Sequence, residues 1–256
     1  LGIPCVVGTG DATKVLQDSM VVTVDGGRGQ VLAGDQVAEA GGGAPEEDLS
    51  GLPETRTLVL VNMSEPSRAV TAAALPVDGV GLLRAELMVL EALDGDHPRL
   101  LLEAGRTEEF IARMADGLMA FAEAFGERPV TYRTIDFRTN EFSGLRGGDR
   151  FEPHEANPMI GYRGALRYTR EPDLFMVELE AVKRVWAAGH RNLHVMLPFV
   201  RTEGELRICR QLVADSGLLD EPGFELWIMA EVPSVLFNLE RYAALGVAGI
   251  SIGSND

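Results

Sequence analysis

Apolar residues in this chain gather in short β-rich runs, with stretches of helical spacing between them. The runs lie at 58–62, 79–84, 130–136, 193–199, 226–232 and 249–252. Helical periodicity is clearest over 107–125, where Phe110, Ile111, Met114, Leu118 and Phe121 fall on one face, and it returns over 173–188 and 202–216. Six strands alternating with helices predict an α/β fold with a parallel sheet and right-handed crossovers. An open doubly wound sheet fits this pattern, and so does an eight-stranded β/α barrel that stops after its sixth strand.

The polar residues separate the two. Each run ends on its C-terminal side in a residue able to do chemistry: Asn62, Arg84, Arg133 to Asp136, Arg201, Glu231, then Asn255 and Asp256. A β/α barrel builds its site from all its C-terminal strand ends, whereas an open sheet concentrates useful ends at one switch point. The expectation is therefore an incomplete (β/α)8 barrel.

Ahead of the barrel, 21–24 and 30–32 read as two strands around the turn Asp25-Gly26-Gly27-Arg28-Gly29. The stretch from Asp35 to Glu54 is rich in Gly and Pro and carries six acids and no base, a linker composition. The predicted organisation is a small N-terminal piece at 1–34, a linker at 35–55 and the barrel at 56–256. Residues 1–34 are too few to bury a core alone. The chain starts without Met and stops at Gly253-Ser254-Asn255-Asp256, as expected of a piece of something longer. A six-stranded barrel would have two open edges, and a homo-oligomer is expected from them.

Composition narrows the function classes. The net charge of −16 repels polyanions, so no nucleic-acid partner is expected. No apolar run is long enough to span a bilayer and no basic-then-apolar leader is visible, so no membrane partner is expected either. Cys5 and Cys209 have neither disulfide-framework nor CxxC spacing, which points to the cytoplasm. His97, His154, His190 and His194 show no ligand spacing and are read as core or surface residues.

Two constellations remain. Arg84 closes the run Gly79-Val80-Gly81-Leu82-Leu83-Arg84, Arg133 stands at the next strand end, and Arg163 lies in Asn157-Pro158-Met159-Ile160-Gly161-Tyr162-Arg163-Gly164. Three guanidinium groups at neighbouring strand ends predict an electropositive pocket for phosphate or carboxylate; a surface pair of Arg84 with Glu86 is the plainer alternative. Glu231 and Asp256, at the ends of consecutive strands, are hard oxygen donors suited to Mg²⁺ or Mn²⁺; Glu231 alone could instead be an acid at a helix N-terminus before Pro233.

Taken together, LGIPCVVGTGDAT from Leu1, LPVDGVGLLRAE from Leu75, RTIDFRTNEF from Arg133, FEPHEANPMIGYRGALRY from Phe151, MLPFVRT from Met196 and IMAEVPS through SIGSND resemble the phosphoenolpyruvate-utilising enzymes. The wording is most similar to the phosphoenolpyruvate synthase (pyruvate, water dikinase) branch. The resemblance implies the tail of a swivelling phosphohistidine domain followed by a phosphoenolpyruvate/pyruvate barrel. It assigns Arg84, Arg133 and Arg163 to phosphate and carboxylate, Asn255 to a phosphate oxygen, and Glu231 with Asp256 to Mg²⁺ or Mn²⁺. The phosphohistidine, the ATP-charging domain and a proton-donating Cys are expected outside these residues, so the chain alone is expected to be inactive. The parent reaction implied is transfer between ATP, phosphohistidine and pyruvate, in gluconeogenesis. Pyruvate phosphate dikinase, the phosphotransferase-system Enzyme I, citrate-lyase-type lyases and a non-catalytic metabolite-binding paralogue are the alternatives. Ala85 and Ala156 depart from the family, which has Thr in its LLRTE motif and an acid before the Asn-Pro.

Overall fold

The computed structural model describes residues 3–36, 53 and 55–253, and the chain divides into two compact units, Leu1–Glu54 and Thr55–Asp256. In the first, a short helix α1 (Ala12–Val15) precedes an antiparallel hairpin of β1 (Val22–Asp25) and β2 (Gln30–Ala33). The Asp25 carboxylate accepts the Arg28 N–H at 2.9 Å, and Gly29 supplies a positive φ of 68° at the turn's end.

The second unit holds a six-stranded, wholly parallel sheet: β3 (Leu60–Met63), β4 (Gly79–Arg84), β5 (Val130–Arg133), β6 (Leu193–Leu197), β7 (Leu226–Ala230) and β8 (Gly249–Ile252). Spatial order equals chain order, with each strand pairing only with its sequence neighbours. That order decides between the two expected architectures. A doubly wound sheet reverses its order at a switch point, whereas right-handed crossovers running one way leave every helix on one face and curl the sheet into part of a barrel.

The helices between strands are α2 (Ala69–Ala73), α3 (Glu86–Leu93), α4 (Pro98–Glu103), α5 (Thr107–Phe125), α6 (Thr139–Phe142), α7 (Gly148–Phe151), α8 (Ala165–Arg170), α9 (Pro172–Ala187), α10 (Glu203–Asp215) and α11 (Ser234–Ala244). The apolar stripe predicted for α5 is buried, and α5 packs along α9. A capping box starts α10: the Thr202 hydroxyl accepts the Glu205 N–H at 3.1 Å, and the Glu205 carboxylate accepts the Thr202 N–H at 3.2 Å.

Strand alternation sorts the residues into two layers. Val130, Tyr132, Leu193, Val195, Leu197, Leu226 and Ile228 join the helices in the main core. On the opposite face Leu82, Met196 and Met229 form a second small cluster with Trp227 beside it. Thr131 and Arg133, His194 and Met196, and Trp227 and Met229 therefore share the concave face by period two.

Candidate functional site

Above the Leu82, Met196 and Met229 cluster, the C-terminal strand ends open into a cavity of about 350 Å³. It is lined by Ser64, Arg84, Glu86, Leu87, Arg133, Asp136, Arg138, Glu141, Met159 and Arg163. All three sequence-predicted arginines are there. So are three carboxylates, Glu86, Asp136 and Glu141, which the expectation of a plainly electropositive pocket did not include. The four arginines outnumber them by one.

The arginines differ in how they are held. Arg84, the last residue of β4, is exposed in the cavity, and its side chain has no hydrogen-bond or ion-pair partner among the described residues. The alternative of a surface pair with Glu86 does not form. Glu86, in the first turn of α3, turns instead to the Arg133 guanidinium. Arg133 Nη1 lies 3.8 Å from Asp136 and 3.8 Å from the Met229 sulfur, and its buried Nε has no hydrogen-bond partner among the described residues. Burial opposes its charge, but Glu86 and Asp136 outweigh that and raise its pKa above the ordinary value.

Arg163 is committed to structure. It is buried and forks onto Asp136, with Nε to Oδ1 at 3.0 Å and Nη2 to Oδ2 at 2.6 Å. Its third nitrogen donates to the Met159 carbonyl at 3.0 Å, and its guanidinium lies 4.1 Å from the Phe199 ring centroid. Arg201 lies 4.6 Å from the same centroid and donates to the Gly161 carbonyl at 2.6 Å. It thus fastens the 157–164 loop and does not face the cavity, and burial lowers its pKa. Asn62 is exposed at the end of β3 and is not part of the cavity lining.

Two backbone features bring these parts together. Phe199 adopts a left-handed φ of 53°, which turns the chain out of β6 and aims its N–H at Glu231 Oε1, 2.6 Å away. Gly164 has φ 55°, and a Cβ there would lie 2.7 Å from both the Phe199 Cβ and the Pro198 carbonyl oxygen.

Glu231 directly follows β7 and is buried. Gly253, just after β8, faces it: a Cβ on Gly253 would lie 3.1 Å from Glu231 Oε2. Glycine there leaves a small cradle beside a buried carboxyl oxygen, at the strand end from which the chain continues to Asp256. That donor chemistry fits a hard divalent cation. Asn255 and Asp256 themselves lie outside the described residues. Among the described residues no group of three or more His, Cys, Asp and Glu side chains is arranged to hold a metal. No helix there is long and apolar enough to cross a membrane.

Residues 45–256 match the family model described as PEP-utilising enzyme, PEP-binding domain, and residues 1–29 match that of PEP-utilising enzyme, mobile domain. The chain belongs to the phosphoenolpyruvate-utilising enzymes. Among its relatives it is 44% identical, over its full length, to the phosphoenolpyruvate synthase of Aeropyrum pernix, covering 33% of that protein. It is 42% identical to that of Pyrococcus furiosus and 38% identical to that of Deinococcus radiodurans, covering all of this chain and 32% and 35% of those proteins. The chain thus spans about a third of the length of the curated relatives it matches.

Proposed function

We propose that this chain is the phosphoenolpyruvate/pyruvate-binding part of a phosphoenolpyruvate synthase, passing a phosphoryl group between a phosphohistidine and pyruvate. The observation that carries the reading is Arg84, a guanidinium at a barrel strand end with no partner among the described residues, beside an Arg133 whose Nε has none there either. A cation left without a counter-ion in a protein of charge −16 is suited to an anionic ligand.

On this reading Arg84 takes the phosphate or carboxylate of the ligand, and Arg133 adds a second donor. Asp136 holds Arg163 and steadies Arg133, so that neither needs to reorganise when charge develops on the transferring group. Glu231 and Asp256 would hold Mg²⁺ or Mn²⁺, which when bound supplies Lewis-acid stabilisation of ligand oxygens. Asn255 would donate a hydrogen bond to a phosphate oxygen. Residues 1–34 are read as the end of the mobile phosphohistidine domain, 35–55 as its linker, and ATP as a substrate of a further domain.

Calorimetric titration of phosphoenolpyruvate into the intact protein tests this. Arg84→Ala removes a charge-assisted contact of about 1.5–3 kcal/mol and should weaken binding roughly tenfold to a hundredfold. Thermal stability should stay level, because Arg84 has no protein partner to lose. Unchanged affinity would refute the assignment.

A further inference from the structure

Glu178 lies on the buried stripe of α9 with Phe175, Leu179 and Val182, and is itself 1% exposed. It is a fully enclosed carboxyl with no basic partner among the described residues. Its Oε1 accepts the Tyr132 hydroxyl at 2.6 Å and the Ile135 N–H at 2.8 Å. Its Oε2 lies 3.0 Å from the Tyr168 hydroxyl oxygen, which in turn lies 2.7 Å from the Ile135 carbonyl oxygen.

A count of protons along that chain favours a protonated Glu178. The Ile135 carbonyl can only accept, and the Tyr168 hydroxyl has one proton to give. If Glu178 were ionised, that one proton would have to be shared between two acceptors, or one of the two contacts would be left with none. If Oε2 carries a proton, Oε2–H donates to Tyr168, Tyr168 donates to Ile135, and every contact has its own.

The consequence falls on the site. Sheet pairing of β5 ends at Arg133, and the Thr134 N–H still reaches the Met196 carbonyl at 3.0 Å. At Ile135 no strand supplies partners, and both its backbone groups are held by Glu178, one directly and one through Tyr168. Ile135 directly precedes Asp136 and follows Arg133 by two residues, and on these two the arginine arrangement depends.

We propose that Glu178 is a positioning residue of this site, a neutral carboxylic acid that fixes both backbone polar groups of Ile135 and so aims Arg133 and Asp136. Burial pushes its pKa up to about 7, against the lowering effect of its three hydrogen bonds, and Glu86 raises it further. The groups acting on it are Tyr132 from β5, the Ile135 N–H, Tyr168 from α8 and, at longer range, Glu86 from α3. Since the folded pKa stands above the unfolded value of about 4.3, its contribution to stability is complete below that value and is lost as pH rises through about 7.

Glutamine separates the neutral from the charged role, because its amide N–H can donate to Tyr168 as the acid does. Intact wild-type, Glu178→Gln and Glu178→Leu proteins are compared by thermal midpoint from pH 5 to pH 8 and by phosphoenolpyruvate calorimetry at pH 7. The Gln variant should bind within about threefold of wild type and lose the fall in midpoint on raising pH, while Leu should bind at least about tenfold more weakly. Should the Leu variant not fold, the Gln comparison carries the test alone. Gln binding as poorly as Leu, or wild-type and Gln midpoints following the same pH curve, would overturn the proposal. The binding arm rests on the phosphoenolpyruvate reading of the cavity. If wild type binds no phosphoenolpyruvate that reading fails, and the midpoint comparison still decides whether Glu178 carries its proton.

Discussion

Replacing Asp136 with Ala strikes the centre of the arginine arrangement. Its side chain is fully buried, it makes both bonds of the fork to Arg163 at 3.0 and 2.6 Å, and it lies 3.8 Å from Arg133. The variant leaves the Arg163 guanidinium, only 8% exposed, with that fork gone, while the Met159 carbonyl and the Phe199 ring still touch it. Removing one partner of a buried ion pair costs about 3–5 kcal/mol, because the remaining charge stays desolvated. In a unit of this size that is a fall in melting temperature of roughly 6–20 °C. Differential scanning calorimetry of the intact protein reads the barrel transition, and Asp136→Asn, which keeps one acceptor, should fall between wild type and Ala. A shift under about 2 °C for Ala would show that Arg163 is solvated or re-paired at little cost, and the argument from burial would be wrong.

Two other perturbations follow from the same geometry. Gly164→Ala forces a Cβ against the Phe199 Cβ and the Pro198 carbonyl at a φ of 55°, and should destabilise by about 2–5 kcal/mol in urea unfolding; a neutral result would mean the loop relaxes freely. Glu152 is enclosed, and burial raises its pKa, but His97 at 3.0 Å and the Arg167 fork at 2.7 and 2.8 Å outweigh that and hold it below the usual carboxylate range. Its contribution is present above the unfolded pKa and lost as pH falls through the lower folded value, so Glu152→Gln should flatten the acid limb of the stability curve; an unchanged limb would contradict this.

How much of this was legible in the chain depended on what each segment bonds to. The bounds of β4, β8 and α5 match the apolar pattern, because regular ladders and one continuous buried stripe hold them. The runs at 130–136, 193–199 and 226–232 overshoot β5, β6 and β7. In each the extra residues are apolar enough to read as strand, yet a side chain or a left-handed turn takes over from the ladder: Glu178 at Ile135, φ 53° at Phe199, and the buried Glu231 carboxylate after Ala230.

The same limit holds at the site. Strand-end position placed Arg84, Arg133 and Glu231 at the C-terminal rim, since it follows from period and direction alone. Which carboxylate meets which guanidinium depends on contacts between distant segments, so the exchange of Glu86 from Arg84 to Arg133 was not readable. Glu178 did leave a signal: an acid three residues after Phe175 and next to Leu179, on a stripe that should be wholly apolar. A charged residue where periodicity demands a core one announces a buried polar network, and here it lies behind the site.

A crystal structure of the intact protein with phosphoenolpyruvate and Mg²⁺ would show directly whether the strand-end arginines and Glu231 hold the ligand and the metal. The ligand's phosphate or carboxylate should lie within hydrogen-bond distance of Arg84 and Arg133, with the metal on Glu231 and Asp256. Ligand density away from the rim of β4, β5 and β7, or a metal held without Glu231, would contradict this.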